Sequence, residues 1–165
     1  MPHTVFSHIW GTLGLLSIMI IVSLYAEGIL NIISLQIHRT ELKEVAESVA
    51  KEIIEVVSIH TLGEEDFTLM DLNIPQNINS KSYVIKLKED KGSIVLEVYL
   101  EGNEIVKVTS VLGLNPNLFR VLNCTIQDQK RRLVYGPSLT LPCERPMIVL
   151  FKENDVYFLA LGREV

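Results

Sequence analysis

The chain has 165 residues, which leaves about 100 for one small domain once an N-terminal helix of about 60 is set aside. Its net charge of −5 and pI near 5.4 speak against a nucleic-acid surface, which needs clustered Lys and Arg. The one dense basic stretch, Lys130-Arg131-Arg132, sits beside an expected turn and reads as a solvated strand end rather than a binding patch.

Residues 1–8 carry no Lys or Arg, a poor n-region for a secretory signal, and a cut after Ala26 would place Leu24 where a small residue is wanted. A retained anchor is therefore expected. Residues 9–26, IWGTLGLLSIMIIVSLYA, hold no charge and pass without a Pro into a further helical pattern. About 20 apolar residues cross a bilayer, so the sequence predicts a transmembrane helix over about residues 5–26. Trp10 and Tyr25 lie near its ends, roughly 22 Å apart at the helical rise, where aromatic side chains mark the two interfaces.

Residues 28–37, GILNIISLQI, remain apolar on nearly every side, interrupted by Asn31, Ser34 and Gln36. A helix apolar all round wants burial all round. Either it tilts to stay in lipid or other helices surround it; Glu27, costly in hydrocarbon, favours the second. Glu27 itself has two readings: it rests at the headgroup boundary, or it pairs with a polar group on a neighbouring helix. Gly11, Gly14, Glu27, Gly28 and Asn31 are the candidate helix-assembly residues. Arg39 and Lys43 follow the span and taken alone place its C-terminal side in the cytoplasm, but they lie well past Ala26 and are interleaved with Glu41 and Glu44, which thins that signal.

Over residues 40–60, Leu42, Val45, Ala46, Val49, Ile53, Val56, Val57 and His60 recur at helical spacing, with Glu41, Glu44, Glu47, Lys51, Glu52 and Glu55 on the other side. This predicts an amphipathic continuation lying on the domain, ending near Gly63. The expected organisation is an N-terminal helix over residues 1–62, transmembrane to about 26 and extended over 27–60, then a β-rich domain over 63–165. A continuous helix from 5 to 60 would be roughly 80 Å long, more than a crossing requires.

After Gly63 the pattern is that of strands. Tyr83, Ile85 and Leu87 alternate with Val84, Lys86 and Lys88; Ile94, Leu96, Val98 and Leu100 alternate with Val95, Glu97, Tyr99 and Glu101; and a third run follows over 104–112. Together they predict an antiparallel meander. A second β group is expected over 119–126, 132–135 and a final hairpin of 147–151 with 156–161. MIVLF, without alternation, predicts a strand covered on both faces. The fold class is thus α+β: a long N-terminal helix, transmembrane then amphipathic, carrying a C-terminal antiparallel β-sandwich-like domain.

Cys124 and Cys143 allow one pairing. Outside the cytoplasm they form a candidate disulfide closing a loop of about 20 residues, worth on the order of 3 kcal/mol; in a reducing compartment they are two small core residues. Asn123-Cys124-Thr125 makes Asn123 a candidate glycosylation site. The four histidines, His3, His8, His38 and His60, stand at no metal-ligand spacing, so neither metal nor cofactor is expected. Glu64-Glu65-Asp66 reads as a solvated acidic loop, and Ser110 and Ser138 have no base visible in sequence. No P-loop, dinucleotide fingerprint, nucleophile elbow or C-x-x-C is present, and no enzymatic activity is expected.

Ser7-His8-Ile9-Trp10-Gly11-Thr12-Leu13, followed by Gly14-Leu15-Leu16, resembles the start of archaeal type IV pilin-like and archaellum-related membrane-anchored proteins. The segment from Leu72-Asn73-Ile74-Pro75 to Tyr83-Val84-Ile85-Lys86-Leu87 is similar to the lead into the sheet of many such domains. The resemblance implies a non-enzymatic structural subunit or accessory of a cell-surface filament. Its anchor packs with like helices, and its β domain is extracytoplasmic or part of an extracellular filament. Residues 1–6 lack the basic leader of that family and His8 stands where many members carry Glu, so neither leader cleavage nor a Glu pairing carries over. The alternative is a single-pass membrane protein whose β domain binds a surface polymer or envelope protein and does not polymerise; a membrane-tethered hydrolase is a distant third.

Overall fold

The computed structural model describes residues 3–63 and 66–165. Among the described residues one helix, α1 (His3–Gly63), is followed by ten strands: β1 (Phe67–Asp71), β2 (Tyr83–Asp90), β3 (Ser93–Leu100), β4 (Asn103–Val111), β5 (Phe119–Val121), β6 (Ile126–Asp128), β7 (Leu133–Gly136), β8 (Ser138–Leu141), β9 (Pro146–Glu153) and β10 (Val156–Glu164). The class is α+β with antiparallel sheets. The chain divides at Ile37/His38, inside α1, into two compact units.

In the first unit the described side chains from Ile9 to Ile37 are all exposed, Trp10 and Tyr25 at 72% and 73%. Two hydroxyls in this apolar stretch fold back onto the helix: Thr12 Oγ1 donates to the Ile9 carbonyl and Ser17 Oγ to the Leu13 carbonyl, each at 2.9 Å. Such back-bonding satisfies a hydroxyl without water and suits it to hydrocarbon. Among the described residues α1 is the one helix long and apolar enough to cross a membrane.

In the second unit α1 turns amphipathic. Leu42, Val45, Ala46, Val49, Ala50, Ile53, Val56 and Val57 are buried, the stripe that the three-to-four spacing predicts. They share one core with Tyr83, Ile85 and Leu87 of β2, Ile94, Leu96 and Val98 of β3, and Ile148, Leu150, Leu159 and Leu161 of the final hairpin. The four-stranded sheet runs β4-β3-β2-β8. The six-stranded sheet runs β1-β9-β10-β7-β6, with β5 parallel to β10.

Two of the hairpins close by the same backbone device. Lys91 and Gly92 (φ 48° and 76°) join β2 to β3, and Asn154 and Asp155 (φ 50° and 62°) join β9 to β10. Two consecutive left-handed residues make the turn whose twist matches that of paired strands, and Gly and Asn accept that conformation at low cost.

The unbroken run in β9 is covered on both faces. Ile148 and Leu150 enter the main core, while Met147 and Val149 join Leu122, Leu133, Tyr135 and Ala160 in a second cluster. Phe67, Phe151 and Phe158 border that cluster in cross-strand register, stacked at 6.3 Å and 5.4 Å. The Arg131 guanidinium lies 3.8 Å over the Phe67 ring and 3.1 Å from Asp128, so the middle residue of the basic triplet is a packing residue.

Four details differ from the sequence pattern. The stretch expected as one strand over 119–126 is two short strands, because Asn123-Cys124-Thr125 interrupts it. The strand expected over 132–135 is Leu133–Gly136, since Arg132 takes a positive φ of 54° in the turn. The five-residue edge strand β1 and the four-residue β8, set between Pro137 and Pro142, are too short to show a period.

Candidate interaction surfaces

The five candidate residues of the apolar helix lie on an uncovered surface. A Cβ added at Gly11, Gly14 or Gly28 would meet nothing within 4 Å, so none of these glycines is required by packing inside the chain. Gly28 leaves a dent of about 310 Å³ bordered by Leu24, Tyr25, Ile29 and Ile32. Glu27 and Asn31, one turn apart, are both exposed on one face of the helix.

In the second unit the exposed arc of α1 has two chemically different flanks. On one, Glu41, Glu44, Val45 and Ser48 border a groove of about 310 Å³ with Pro75, Asn77, Ile78 and Asn79 of the β1–β2 connection. Asn79 Nδ2 donates to Glu41 Oε2 at 2.6 Å and lies 3.0 Å from Nδ1 of buried His38, whose Nε2 is 3.4 Å from Lys81 Nζ. This polar cluster ties the helix to the connection. On the other flank Arg39, Lys43, Ala46 and Glu47 border a groove of about 600 Å³ with Lys107, Val108, Thr109 and Ser110 of β4. Lys43 pairs with Glu47 at 3.6 Å and Lys107 with Glu97 at 3.0 Å.

At the far end of α1, His60 is buried; its Nδ1 is 2.6 Å from Thr68 Oγ1 and its ring meets Tyr157 edge-on at 5.4 Å. The contact fastens the last turn of the helix to β1. No group of three His, Cys, Asp or Glu that would hold a metal occurs among the described residues. The side chains of His3 and His8, and the residues Glu64 and Glu65, lie outside the described residues.

Cys124 is exposed in the loop before β6 and Cys143 is half-buried after β8, both as free thiols. Burial pushes the Cys143 thiol above its ordinary value, which Arg163 partly offsets. Asn123 is exposed. Tyr83 is fully buried at the head of β2 and donates its hydroxyl to the Pro75 carbonyl; burial, then the neighbouring Cys143, raises it well above the usual phenol.

The division of α1 into a basic and an acidic flank was within reach of the sequence as far as Arg39 and Lys43 at i, i+4. The arrival of Lys107 beside them required strand pairing. No family model, no curated protein and no solved structure matches this chain.

Proposed function

We propose that this protein is a membrane-anchored, archaeal pilin-like subunit or accessory of a cell-surface filament, held in its assembly by the apolar part of α1. The observation that carries the reading is the exposure of α1 on every side from residue 9 to 37, beside the burial of one stripe of the same helix from Leu42 onward. Those exposed residues extend roughly 43 Å at 1.5 Å per residue, against about 30 Å of hydrocarbon. Holding the whole stretch in lipid would take a tilt of about 45°, beyond the range of about 0 to 40° found for membrane helices, and would submerge Glu27. Packing with like helices covers Ile29, Leu30, Ile32, Ile33 and Leu35 without that tilt. Gly11, Gly14 and Gly28 allow close approach of a neighbour, and Glu27 and Asn31 offer it polar partners.

The resemblance at residues 7–16 points the same way. In this reading the two sheets around their shared core form a β-sandwich-like domain outside the cytoplasm, and its role is structural. Cys124 and Cys143 remain its candidate disulfide and Asn123 its candidate glycan site. Shearing cells that express the protein tests the reading: recovery in surface fibres with α1 protected in their core is expected. Recovery only as membrane-bound monomer refutes it and leaves the non-polymerising anchored binding protein. Intact mass from the same material reports whether the N-terminus is processed.

A further inference from the structure

We infer that the two flanks of α1 in the β-bearing unit dock onto each other between copies, the basic flank of one subunit receiving the acidic flank of the next. The inference rests on the filament reading and names the domain-level contact within it. At 100° per residue, Arg39 and Lys43 lie within one face of the helix, while Glu41 and Glu44 lie roughly 140° to 200° around from Arg39. The buried stripe runs between the two flanks, so they open onto opposite sides of the domain's helix.

The ion pairs inside the chain leave Arg39 without a carboxylate on one flank and Glu44 without a cation on the other, where Lys81 Nζ lies 3.4 Å from His38 Nε2 and makes no ion pair among the described residues. Lys43 and Lys107 have carboxylates in Glu47 and Glu97, whereas Arg39 makes no ion pair among the described residues. Glu41 is engaged by Asn79, whereas Glu44 has neither ion pair nor hydrogen bond among them. Arg39 and Glu44 are therefore the pair that a second copy completes, with the guanidinium fork suited to a carboxylate.

A second observation marks the basic flank as a protein surface. Leu112 N–H donates to the Ile94 carbonyl, and the register pairs Ser110 with Leu96 and Val108 with Val98. Antiparallel alternation then turns the N–H and C=O of Lys107, Thr109 and Val111 away from β3, along the open edge of the sheet. Val111 is 65% exposed on that edge. Lys107 discourages unspecific strand addition there, which leaves charge-matched contact as the admitted kind. Because the two flanks are different surfaces on opposite sides of the helix, their contact is heterologous, and it runs from copy to copy as an open filament where the rotation between copies does not close a ring.

The test uses the full chain in surface fibres or detergent micelles, as an equal mixture of unlabelled and nitrogen-15-labelled protein. A carbodiimide joins lysine amines to carboxylates by an amide with loss of water, the carbodiimide taking up that water as its urea. Links of Lys43 or Lys107 to Glu41 or Glu44 carrying one labelled and one unlabelled peptide are expected, with Lys43–Glu47 and Lys107–Glu97 links within a chain as the internal standard. R39E alone and E44R alone should each lower the mixed links about fivefold, and mixing the two variants should restore them. Chains that associate without mixed links at these residues, or that keep them in R39E, overturn the inference. Chains that do not associate overturn the filament reading and this contact with it.

Discussion

Ile53 and Ile54 are neighbours on α1 with opposite fates, and truncating each separates the two roles of the helix. Ile53 is 0% exposed in the main core and Ile54 is 47% exposed. Ile53→Ala removes three carbons, about 2.4 kcal/mol of transfer free energy at about 0.8 kcal/mol each, and leaves a cavity among Val49, Val56 and their sheet neighbours. A destabilisation of about 3 to 4 kcal/mol is expected, a fall in melting temperature of roughly 10 to 15 °C for a unit of this size. Ile54→Ala should cost under about 1 kcal/mol, and Leu24→Ala, on the exposed apolar stretch, should leave the unfolding of the β-rich unit unchanged. Near-ultraviolet circular dichroism of the full chain in micelles, followed against temperature and urea, reads all three. Equal losses for Ile53→Ala and Ile54→Ala would refute the placement of the stripe, and a large loss for Leu24→Ala would refute the independence of the two units.

Three further outcomes follow from single contacts. Tyr83→Phe removes the hydrogen bond from the buried Tyr83 hydroxyl to the carbonyl of exposed Pro75 and should cost about 1 kcal/mol; in alkaline absorbance titration the variant should lose one of the late-ionising tyrosines of the wild type. Arg131→Ala loses the guanidinium over Phe67 and should lower stability by about 1 kcal/mol in urea, with Arg131→Lys recovering only part, since Lys lacks the planar face. In reduced protein treated with a thiol reagent near pH 8, Cys124 should react well before Cys143, which is half-buried and held as thiol by the upward push of burial; peptide mapping that finds Cys143 first would contradict that placement.

How far the sequence carried differs from element to element, for physical reasons. The buried stripe from Leu42 to Val57 was legible because a helix repeats its exposure every three to four residues, here over more than four turns. The meander of β2, β3 and β4 was legible because each strand is eight or nine residues long and turn residues part them, whereas the irregularity between Tyr99 and Leu100 that shifts the β3–β4 register had no signal in the pattern. β9 was legible for the opposite reason, having no alternation to lose. By contrast β8 joins the edge of β2 from far along the chain, and a four-residue strand carries its identity in the partner rather than in its own pattern. Arg131 is the exposed turn charge that the sequence suggested, but nothing local announces that the β6–β7 turn also reaches Phe67.

The same distinction governs the candidate surfaces. For residues 9–37 the composition called for burial all round, in lipid or among other helices, and within the single chain no described side chain covers them. The charged flanks were hidden because Arg39, Glu41, Lys43, Glu44 and Glu47 read along the chain as an alternating, nearly neutral run. Winding at 3.6 residues per turn sorts that run by angle rather than by order, and β4 then adds Lys107 to one side only. A run that sums to nearly nothing therefore becomes two faces of opposite sign. In the filament proposed above, each copy would offer one of these faces to the next.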